Sequence, residues 1–271
     1  MHDETSDSPG DGSSGGRVRC SGCHDGTALP FGFTMAFQPI VDIEAGVVWA
    51  YEALVRGVAG EPAGTILDQV EPTMVYRFDQ ACRVKAVELA SALFPPAANI
   101  KLSINFMPNA VYEPNACIRA TLAAATRCGF DPRNLMFEFT ENEKMRDVDH
   151  VRRIISSYRA QGFTTAIDDF GSGYAGLGLL AELRPDVLKI DTALVRGIDH
   201  SATRRTIVAA IVAMAAGLGI LPLAEGIETP GELKALQSLG VRLYQGFLIG
   251  RPEIGSLPKA SLRADQADLG T

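Results

Sequence analysis

Short apolar segments alternate with amphipathic segments along most of the chain. The apolar segments have the length and composition of β-strands and are bounded by turn-forming residues. They comprise residues 35–41, 47–55, 100–106, 135–140, 164–168, 187–190, 221–224 and 243–247. From the second onward, most are followed by a segment with helical periodicity, for example residues 149–160 and 203–218. Eight strands that alternate with helices predict a (β/α)8 barrel.

The connection between the first two predicted strands departs from this pattern. It consists only of residues 42–46. A parallel pair of strands needs about a dozen connecting residues, so the first strand is expected to run antiparallel to the second. The predicted fold class is therefore α/β, a TIM-like (β/α)8 barrel with one antiparallel strand.

Composition divides the chain into one large domain with a segment at each end. Residues 1–30 are rich in Gly, Ser and Asp, which predicts a flexible N-terminal segment that is dispensable for chemistry. Residues 31–254 are expected to form one barrel domain, and residues 255–271 a polar C-terminal tail. A hydrophobic fraction of 46% and a mean hydropathy of +0.09 support a single large core.

The charge balance limits the class of partner. The chain has 25 Lys and Arg against 32 Asp and Glu, which gives a net charge of −7. Long nucleic acids require a broad basic surface, so such a partner is not expected. A small anionic ligand is compatible with the charge, because bound metal ions can invert it locally.

The cysteines and apolar segments favour a cytoplasmic location. The five cysteines are odd in number and widely spread, which argues against a disulfide framework; they are Cys20, Cys23, Cys82, Cys117 and Cys128. No basic start followed by an apolar stretch is present, so no signal peptide is expected. The longest apolar stretch, residues 207–223, is broken by glycines and a proline, so no membrane insertion is expected.

Polar residues lie in or just after most of the predicted strands. They are Glu52, Arg56, Asn105, Glu138, Thr140, Glu141, Asp168, Asp169, Lys189, Asp191, Glu225 and Gln245. The carboxyl ends of barrel strands converge on one face, where active sites form. Carboxylates with one amide make an all-oxygen ligand set that suits Mg²⁺ or Mn²⁺. The sequence therefore predicts a metal site at this face.

The adjacent Asp168 and Asp169 favour two metal ions rather than one. Neighbouring carboxylates at the end of a buried strand are costly unless something neutralises them. One carboxylate that bridges two cations suits in-line phosphoryl displacement. Lys189 is then in place to orient the attacking water or to hold a phosphate oxygen, and Glu225 to accept a proton.

Each of these residues also has an ordinary structural explanation. Asp191 precedes a helix-like segment and is a candidate helix N-cap. Lys189 can extend from a strand end to solvent, and Glu141, Glu225 and Glu228 can brace loops. This explanation accounts poorly for polar groups of compatible type on seven strands.

Two other motifs point to different chemistry. Residues 171–176 match G-x-G-x-x-G after a predicted strand, with Asp191 about 20 residues later, as in a dinucleotide-binding loop. The aspartates directly before them would repel a bare pyrophosphate, which disfavours that interpretation. Cys20, Cys23 and His24 match the C-x-x-C-H haem-attachment motif. Covalent haem attachment requires export, and since no signal peptide is expected, this interpretation is disfavoured. An ordinary flexible segment is favoured there, with metal binding or redox sensing as the alternative.

Several short motifs occur in a fixed order between residues 35 and 252. They are AFQPIV (36–41), YEALVR (51–56), SIN (103–105), EFTE (138–141), DDFG (168–171), LKID (188–191), AEGIET (224–229) and QGF (245–247). In identity and order they resemble the EAL-domain family, phosphodiesterases of cyclic di-GMP. The family barrel also has one antiparallel strand, as the short first connection indicates.

The resemblance implies a role for each matching residue. Glu52, Asn105, Glu138 and Asp168 match the ligands of one metal ion, and Asp168 with Asp169 match those of a second. Lys189 and Glu225 match residues that position or activate the hydrolytic water. Gln38, Arg56 and Gln245 match substrate contacts. Glu141, Asp191 and Glu228 match residues that support the loop after Asp169.

The function implied by this resemblance is hydrolysis of cyclic di-GMP to linear pGpG with two Mg²⁺ or Mn²⁺ ions, in a homodimer. The alternative is a catalytically silent module that binds cyclic di-GMP or a protein partner. The chain departs from the common family pattern at Gly57, where Trp is frequent, at residues 106–108 and in the loop at 171–176. None of these departures replaces a matched metal ligand, which favours the enzyme.

Overall fold

A computed structural model describes residues 29–262, except 97, 109–110, 112, 114–116, 141–146 and 174–175. The strands are β1 (Phe33–Asp42), β2 (Val47–Gly57), β3 (Lys101–Asn105), β4 (Leu135–Thr140), β5 (Thr164–Phe170), β6 (Val187–Ile190), β7 (Leu221–Ala224), β8 (Leu243–Tyr244) and β9 (Glu253–Ile254). The α-helices are α1 (Ala63–Leu67), α2 (Val75–Leu93), α3 (Arg119–Cys128), α4 (Val148–Ala160), α5 (Gly176–Leu183), α6 (Thr192–Val195), α7 (Ala202–Leu218) and α8 (Pro230–Ser238). Short 3₁₀ turns lie at Pro132–Asn134 and Ile198–His200.

The strands form a closed barrel with one antiparallel member. Strands β2 to β8 follow one another in sequence order and are parallel. Strand β1 closes the ring by pairing antiparallel with β2 on one side and β8 on the other. The predicted barrel with one antiparallel strand is confirmed. A short ninth strand, which the sequence pattern did not predict, pairs with β1 through Ala36 and Ile254.

An apolar layer fills one part of the barrel interior. It consists of one buried residue from each of seven strands: Ile40, Ala50, Met136, Ala166, Val187, Leu223 and Leu243. A separate and larger cluster of buried side chains packs the helices against the strands. Successive side chains of a strand point to opposite faces, so the residues two positions from this layer also face the interior.

Strand ends differ slightly from the sequence pattern. Strand β5 continues to Phe170, with a register shift against β6 between Ile167 and Phe170. Strand β8 ends at Tyr244, and two residues later Gly246 lies directly against the backbone of Ile227. A side chain at this position would overlap that backbone.

The residues at both ends of the barrel domain are only partly described. Residues 1–28, including Cys20, Cys23 and His24, lie outside the described residues. Beyond β9, the Tyr51 hydroxyl donates to the Pro258 carbonyl at 3.2 Å, and Leu257 packs against the core. Among the described helices, none combines the length and apolar character that crossing a membrane requires.

Candidate active site

A polar layer lies two residues beyond the apolar layer, toward the carboxyl ends of the parallel strands. It contains Glu52, Glu138, Asp168, Lys189, Glu225 and Gln245, each two residues after an apolar-layer residue. Because β1 runs antiparallel to the other strands of the ring, the residue that it contributes to the polar layer is Gln38, two residues before Ile40. Strand alternation therefore brings together side chains that are far apart in sequence.

Lys189 is the centre of this layer. Its Nζ lies 2.7 Å from Glu138 Oε2, 2.8 Å from Glu225 Oε1 and 2.9 Å from Asp168 Oδ1. A fourth carboxylate, Glu52 Oε2, lies 3.8 Å away. The lysine side chain is 1% exposed. The ordinary explanation of a solvent-directed strand-end lysine is therefore wrong for this residue.

Hydrogen bonds fix the carboxylates around Lys189. The Ser103 hydroxyl donates to Glu138 Oε1, and Asn105 Nδ2 donates to Glu52 Oε1 at 2.9 Å. Gln245 Nε2 donates to Glu52 Oε2 at 2.7 Å. These bonds hold the groups in fixed orientations, which is a requirement for precise coordination or proton transfer.

The backbone at the end of β5 allows both aspartates to face the site. Asp169 has a φ of 56°, a left-handed conformation that is uncommon for a residue other than glycine. Its backbone N–H donates to Asp168 Oδ1 at 3.0 Å, and Thr140 Oγ1 donates to Asp169 Oδ2 at 3.1 Å. This turn, together with the register shift at β5, overrides the alternation that would send neighbouring side chains to opposite faces.

Two overlapping groups of carboxylates have the composition of metal sites. Oxygens of Glu52, Glu138 and Asp168 lie within 4.8 Å of one another, as do those of Asp168, Asp169 and Glu225. Asp168 belongs to both groups, as a bridging ligand would. All donors are hard oxygens without a thiolate or imidazole, which fits Mg²⁺ or Mn²⁺.

Burial shifts the pKa values of the charged groups in the site. Burial raises the pKa of Glu138 to about 8, although Lys189 opposes the shift. Burial and the neighbouring Asp168 raise the pKa of Asp169, and burial also raises that of Glu225. Burial favours neutral Lys189, but the surrounding carboxylates outweigh it and hold its pKa well above the usual value. Lys189 is therefore the cation that balances this cluster of acids.

A cavity of about 280 Å³ opens beside the polar layer. Gln38, Gln245 and Glu225 form part of its wall, and Arg196 and Glu228 form another part. The Arg196 guanidinium pairs with the Glu228 carboxylate, with Nη2 2.6 Å from Oε1. A larger cavity of about 570 Å³ is lined by Lys101, at the amino end of β3, and lies away from the carboxylate groups. The smaller cavity is therefore the candidate ligand site.

Some residues singled out from the sequence lie outside this centre. Asp191 accepts from the backbone N–H of Ala193 at 2.8 Å, which is the helix N-cap role. Arg56 donates to its neighbouring carbonyl, Val55 O, at 2.7 Å. Glu141 lies outside the described residues, and so do parts of the G-x-G-x-x-G motif. Their matched roles stay predictions.

The structure adds site residues to which sequence reasoning assigned no role. Ser103 holds Glu138, and Thr192 and Arg196 line the cavity. Ser103 lies two residues before Asn105 on β3, so alternation could have placed it on the same face. Arg196 follows a short helix and carries no comparable signal in the sequence.

The EAL domain family model matches residues 31–252. The chain belongs to the EAL-domain family. The EAL segment itself is Glu52, Ala53 and Leu54 of β2, and its glutamate is the member of the polar layer on that strand.

Similar proteins, one with a solved structure and one named as a phosphodiesterase, agree with membership of this family. The crystal structure of a standalone versatile EAL protein from Vibrio cholerae O395 in its c-di-GMP-bound form has a TM-score of 0.83, 46% identity, and covers 88% of this chain and 100% of that chain. Cyclic di-GMP phosphodiesterase NbdA of Pseudomonas aeruginosa is 30% identical over 83% of this chain and 29% of its own length.

The blue light- and temperature-regulated antirepressor BluF of Escherichia coli is 33% identical over 82% of this chain and 55% of its own length. The chain thus spans about half or less of the length of these curated relatives. Their names also indicate different roles, because one is a phosphodiesterase and the other an antirepressor.

Proposed function

We propose that this chain is a metal-dependent phosphodiesterase that hydrolyses cyclic di-GMP to linear pGpG. The observation that carries the proposal is the pair of carboxylate groups that share Asp168 beside the buried Lys189. Family membership and the phosphodiesterase NbdA among the relatives support the substrate. The proposed metal ligands are Glu52, Asn105, Glu138, Asp168 and Asp169, and the proposed substrate contacts are Gln38, Arg56 and Gln245.

Hydrolysis adds water to one phosphorus atom and breaks one of its bonds to a ribose oxygen. Two bound Mg²⁺ or Mn²⁺ ions would make the attacking water more acidic and stabilise charge on the phosphate oxygens. Lys189 holds a phosphate oxygen or the water, because its Nζ lies among the proposed ligands. Glu225 accepts the water proton, because its carboxylate lies beside those of Asp168 and Asp169, where the second metal ion would hold the water.

The direct test is incubation of the protein with cyclic di-GMP and Mg²⁺ or Mn²⁺, followed by chromatographic separation of the nucleotides. We expect pGpG to accumulate in the presence of either metal and to be absent in excess EDTA. Conversion at the same rate in EDTA would contradict the metal-dependent chemistry.

We predict that Ca²⁺ will not replace Mg²⁺ or Mn²⁺ in turnover. The oxygen ligands can bind Ca²⁺, but at longer distances and in a looser geometry than the smaller ions require. Nucleotide chromatography after matched incubations with each metal checks this expectation. Equal rates in Ca²⁺ and Mn²⁺ would argue against the two-metal alignment.

The second candidate is a silent module that binds cyclic di-GMP without hydrolysing it. The observation that favours it is the relative BluF, which is named as an antirepressor. Tight binding in EDTA together with no pGpG formation in Mn²⁺ would support this alternative. The homodimer and the cytoplasmic location stay predictions.

A further inference from the structure

Two chain segments form one wall of the smaller cavity. The first, here called the β6 segment, comprises residues 192–199 after β6. The second, called the β7 loop, comprises residues 225–228 after β7. Thr192 and Arg196 of the β6 segment line the cavity, together with Glu225 and Glu228 of the β7 loop. The relative position of the two segments therefore sets the shape of this wall.

The two segments are in close contact. A side chain at Gly226, whose φ is 66°, would overlap the Thr192 side chain. Farther along, Arg196 pairs with Glu228. The backbone of Glu225 is bonded to the end of β6, because its N–H donates to the Ile190 carbonyl at 3.2 Å. The outer part of the wall, at Arg196 and Glu228, has no such bond to a strand among the described hydrogen bonds.

Glu232 connects the outer ends of both segments. This residue lies in the first turn of α8 and is 2% exposed. Its Oε1 accepts from the Gly197 N–H at 2.8 Å. Its Oε2 accepts from the N–H groups of Glu228 at 2.9 Å and Thr229 at 3.1 Å. One carboxylate therefore binds the backbone of the β6 segment and of the β7 loop at the same time.

Helix capping explains only part of this arrangement. Thr229 and Glu232 form a capping box, in which the side chain of each accepts from the backbone N–H of the other. The bond to Gly197 is not part of the box, and it joins residues 35 positions apart. Gly197 directly follows Arg196, so this bond fixes the backbone from which the guanidinium extends.

We propose that Glu232 is a positioning residue for substrate binding, which holds Arg196 and Glu228 in place as one wall of the nucleotide cavity. This inference rests on the proposed function, because the ligand of the cavity is taken to be cyclic di-GMP. A glutamine at this position has only one acceptor oxygen, and its NH₂ group cannot accept from a backbone N–H. Glu232→Gln therefore loses one of the two connections while it keeps the side-chain volume.

The test compares Glu232→Gln with Thr229→Ala and the parent protein. Thr229→Ala removes the side-chain acceptor for the Glu232 N–H but leaves all three bonds accepted by Glu232. For Glu232→Gln we expect about a tenfold increase in the Kd of cyclic di-GMP, measured by calorimetry in EDTA, because small displacements of binding groups have effects of this order or larger. KM should rise in parallel, with kcat changed by less than about threefold. Thr229→Ala should leave Kd and KM unchanged.

Hydrogen exchange gives a readout that does not depend on the ligand. Either the amide of Gly197 or that of Glu228 should exchange faster in Glu232→Gln than in the parent, according to which bond the single glutamine oxygen keeps, and both should exchange at the parent rate in Thr229→Ala. If Glu232→Gln does not fold, Glu232→Asp provides the second variant, because it keeps the charge and shortens the reach by one methylene group.

The outcomes separate the two proposals. A parent that neither binds nor hydrolyses cyclic di-GMP overturns the proposed function and this inference with it. A functional parent with the same Kd as a folded Glu232 variant overturns only the positioning role. Equal weakening in Thr229→Ala would also overturn it, because the effect would then come from the helix cap alone.

Discussion

Asp168→Asn is expected to lower the rate of cyclic di-GMP hydrolysis by about three orders of magnitude or more, since a metal-activated nucleophile and charge neutralisation are lost together. Asp168 is the one residue that both carboxylate groups share. Asparagine offers a single acceptor oxygen and no negative charge, so it cannot bridge two cations. Initial rates of pGpG formation in saturating Mn²⁺ measure this loss.

The substitution should leave the fold in place. The asparagine oxygen can still accept from the Asp169 N–H, as Asp168 Oδ1 does at 3.0 Å. Lys189 keeps its close ion pairs with Glu138 and Glu225. The affinity for cyclic di-GMP in EDTA should fall far less than the rate, because the proposed contacts from Gln38 and Gln245 remain.

A matched control is Asp149→Asn, the same chemical change at an exposed position. Asp149 lies in the first turn of α4 and pairs with Arg152 at 2.6 Å. Surface ion pairs contribute little, so rate and stability should both stay near the parent values. An Asp168→Asn protein that hydrolyses as fast as Asp149→Asn would remove Asp168 from the proposed metal site.

The barrel could be predicted from the sequence because its strands are short, apolar and regularly separated by helices. The connection at residues 42–46 was sufficient to predict the antiparallel strand, since its length excludes a parallel crossover. Strand β9 could not be predicted. It consists of Glu253 and Ile254, both exposed, and its pairing with β1 depends on the completed barrel.

The site could be predicted in part for a similar reason. The side chains of each strand alternate between the barrel interior and the outside, which places Glu138 and Lys189 in one interior layer. Both positions can be predicted from the strand pattern and from the family resemblance. The left-handed backbone of Asp169 could not be predicted in this way. The sequence of β5 reads as an ordinary strand, and nothing in it specifies a positive φ at this aspartate. The bond from Glu232 to Gly197 also depends on tertiary structure, although the capping box around Thr229 has a visible sequence pattern.

Lys189→Met is expected to lower the free energy of unfolding in metal-free buffer by about 3–5 kcal/mol, the usual effect of removing one partner from a buried ion pair. The lysine Nζ lies within 2.9 Å of three carboxylates, and its removal leaves them without a nearby cation. For a domain of this size each kcal/mol corresponds to about 2–4 °C in Tm. Thermal unfolding in EDTA measures the effect.

Added Mn²⁺ should reverse much of this loss. A ligand that binds only the folded state stabilises it in proportion to the logarithm of its concentration over Kd. Without the lysine ammonium group, the carboxylates of Glu138, Asp168 and Glu225 should attract the metal more strongly. The rise in Tm on adding Mn²⁺ should therefore be larger in Lys189→Met than in the parent, although turnover should remain low because the proposed contact of Lys189 with phosphate or water is lost.

Lys101→Met is the control, because it makes the same change at a partly buried lysine that lies away from the carboxylate groups. Lys101 begins β3, at the opposite end of the strand from Asn105, and its Nζ lies 6.0 Å from the centre of the Trp49 ring. This variant should respond to Mn²⁺ as the parent does, since the carboxylate groups around Lys189 are unchanged. If Lys189→Met and Lys101→Met gained the same Tm from Mn²⁺, Lys189 would not be the cation that balances the metal-binding carboxylates.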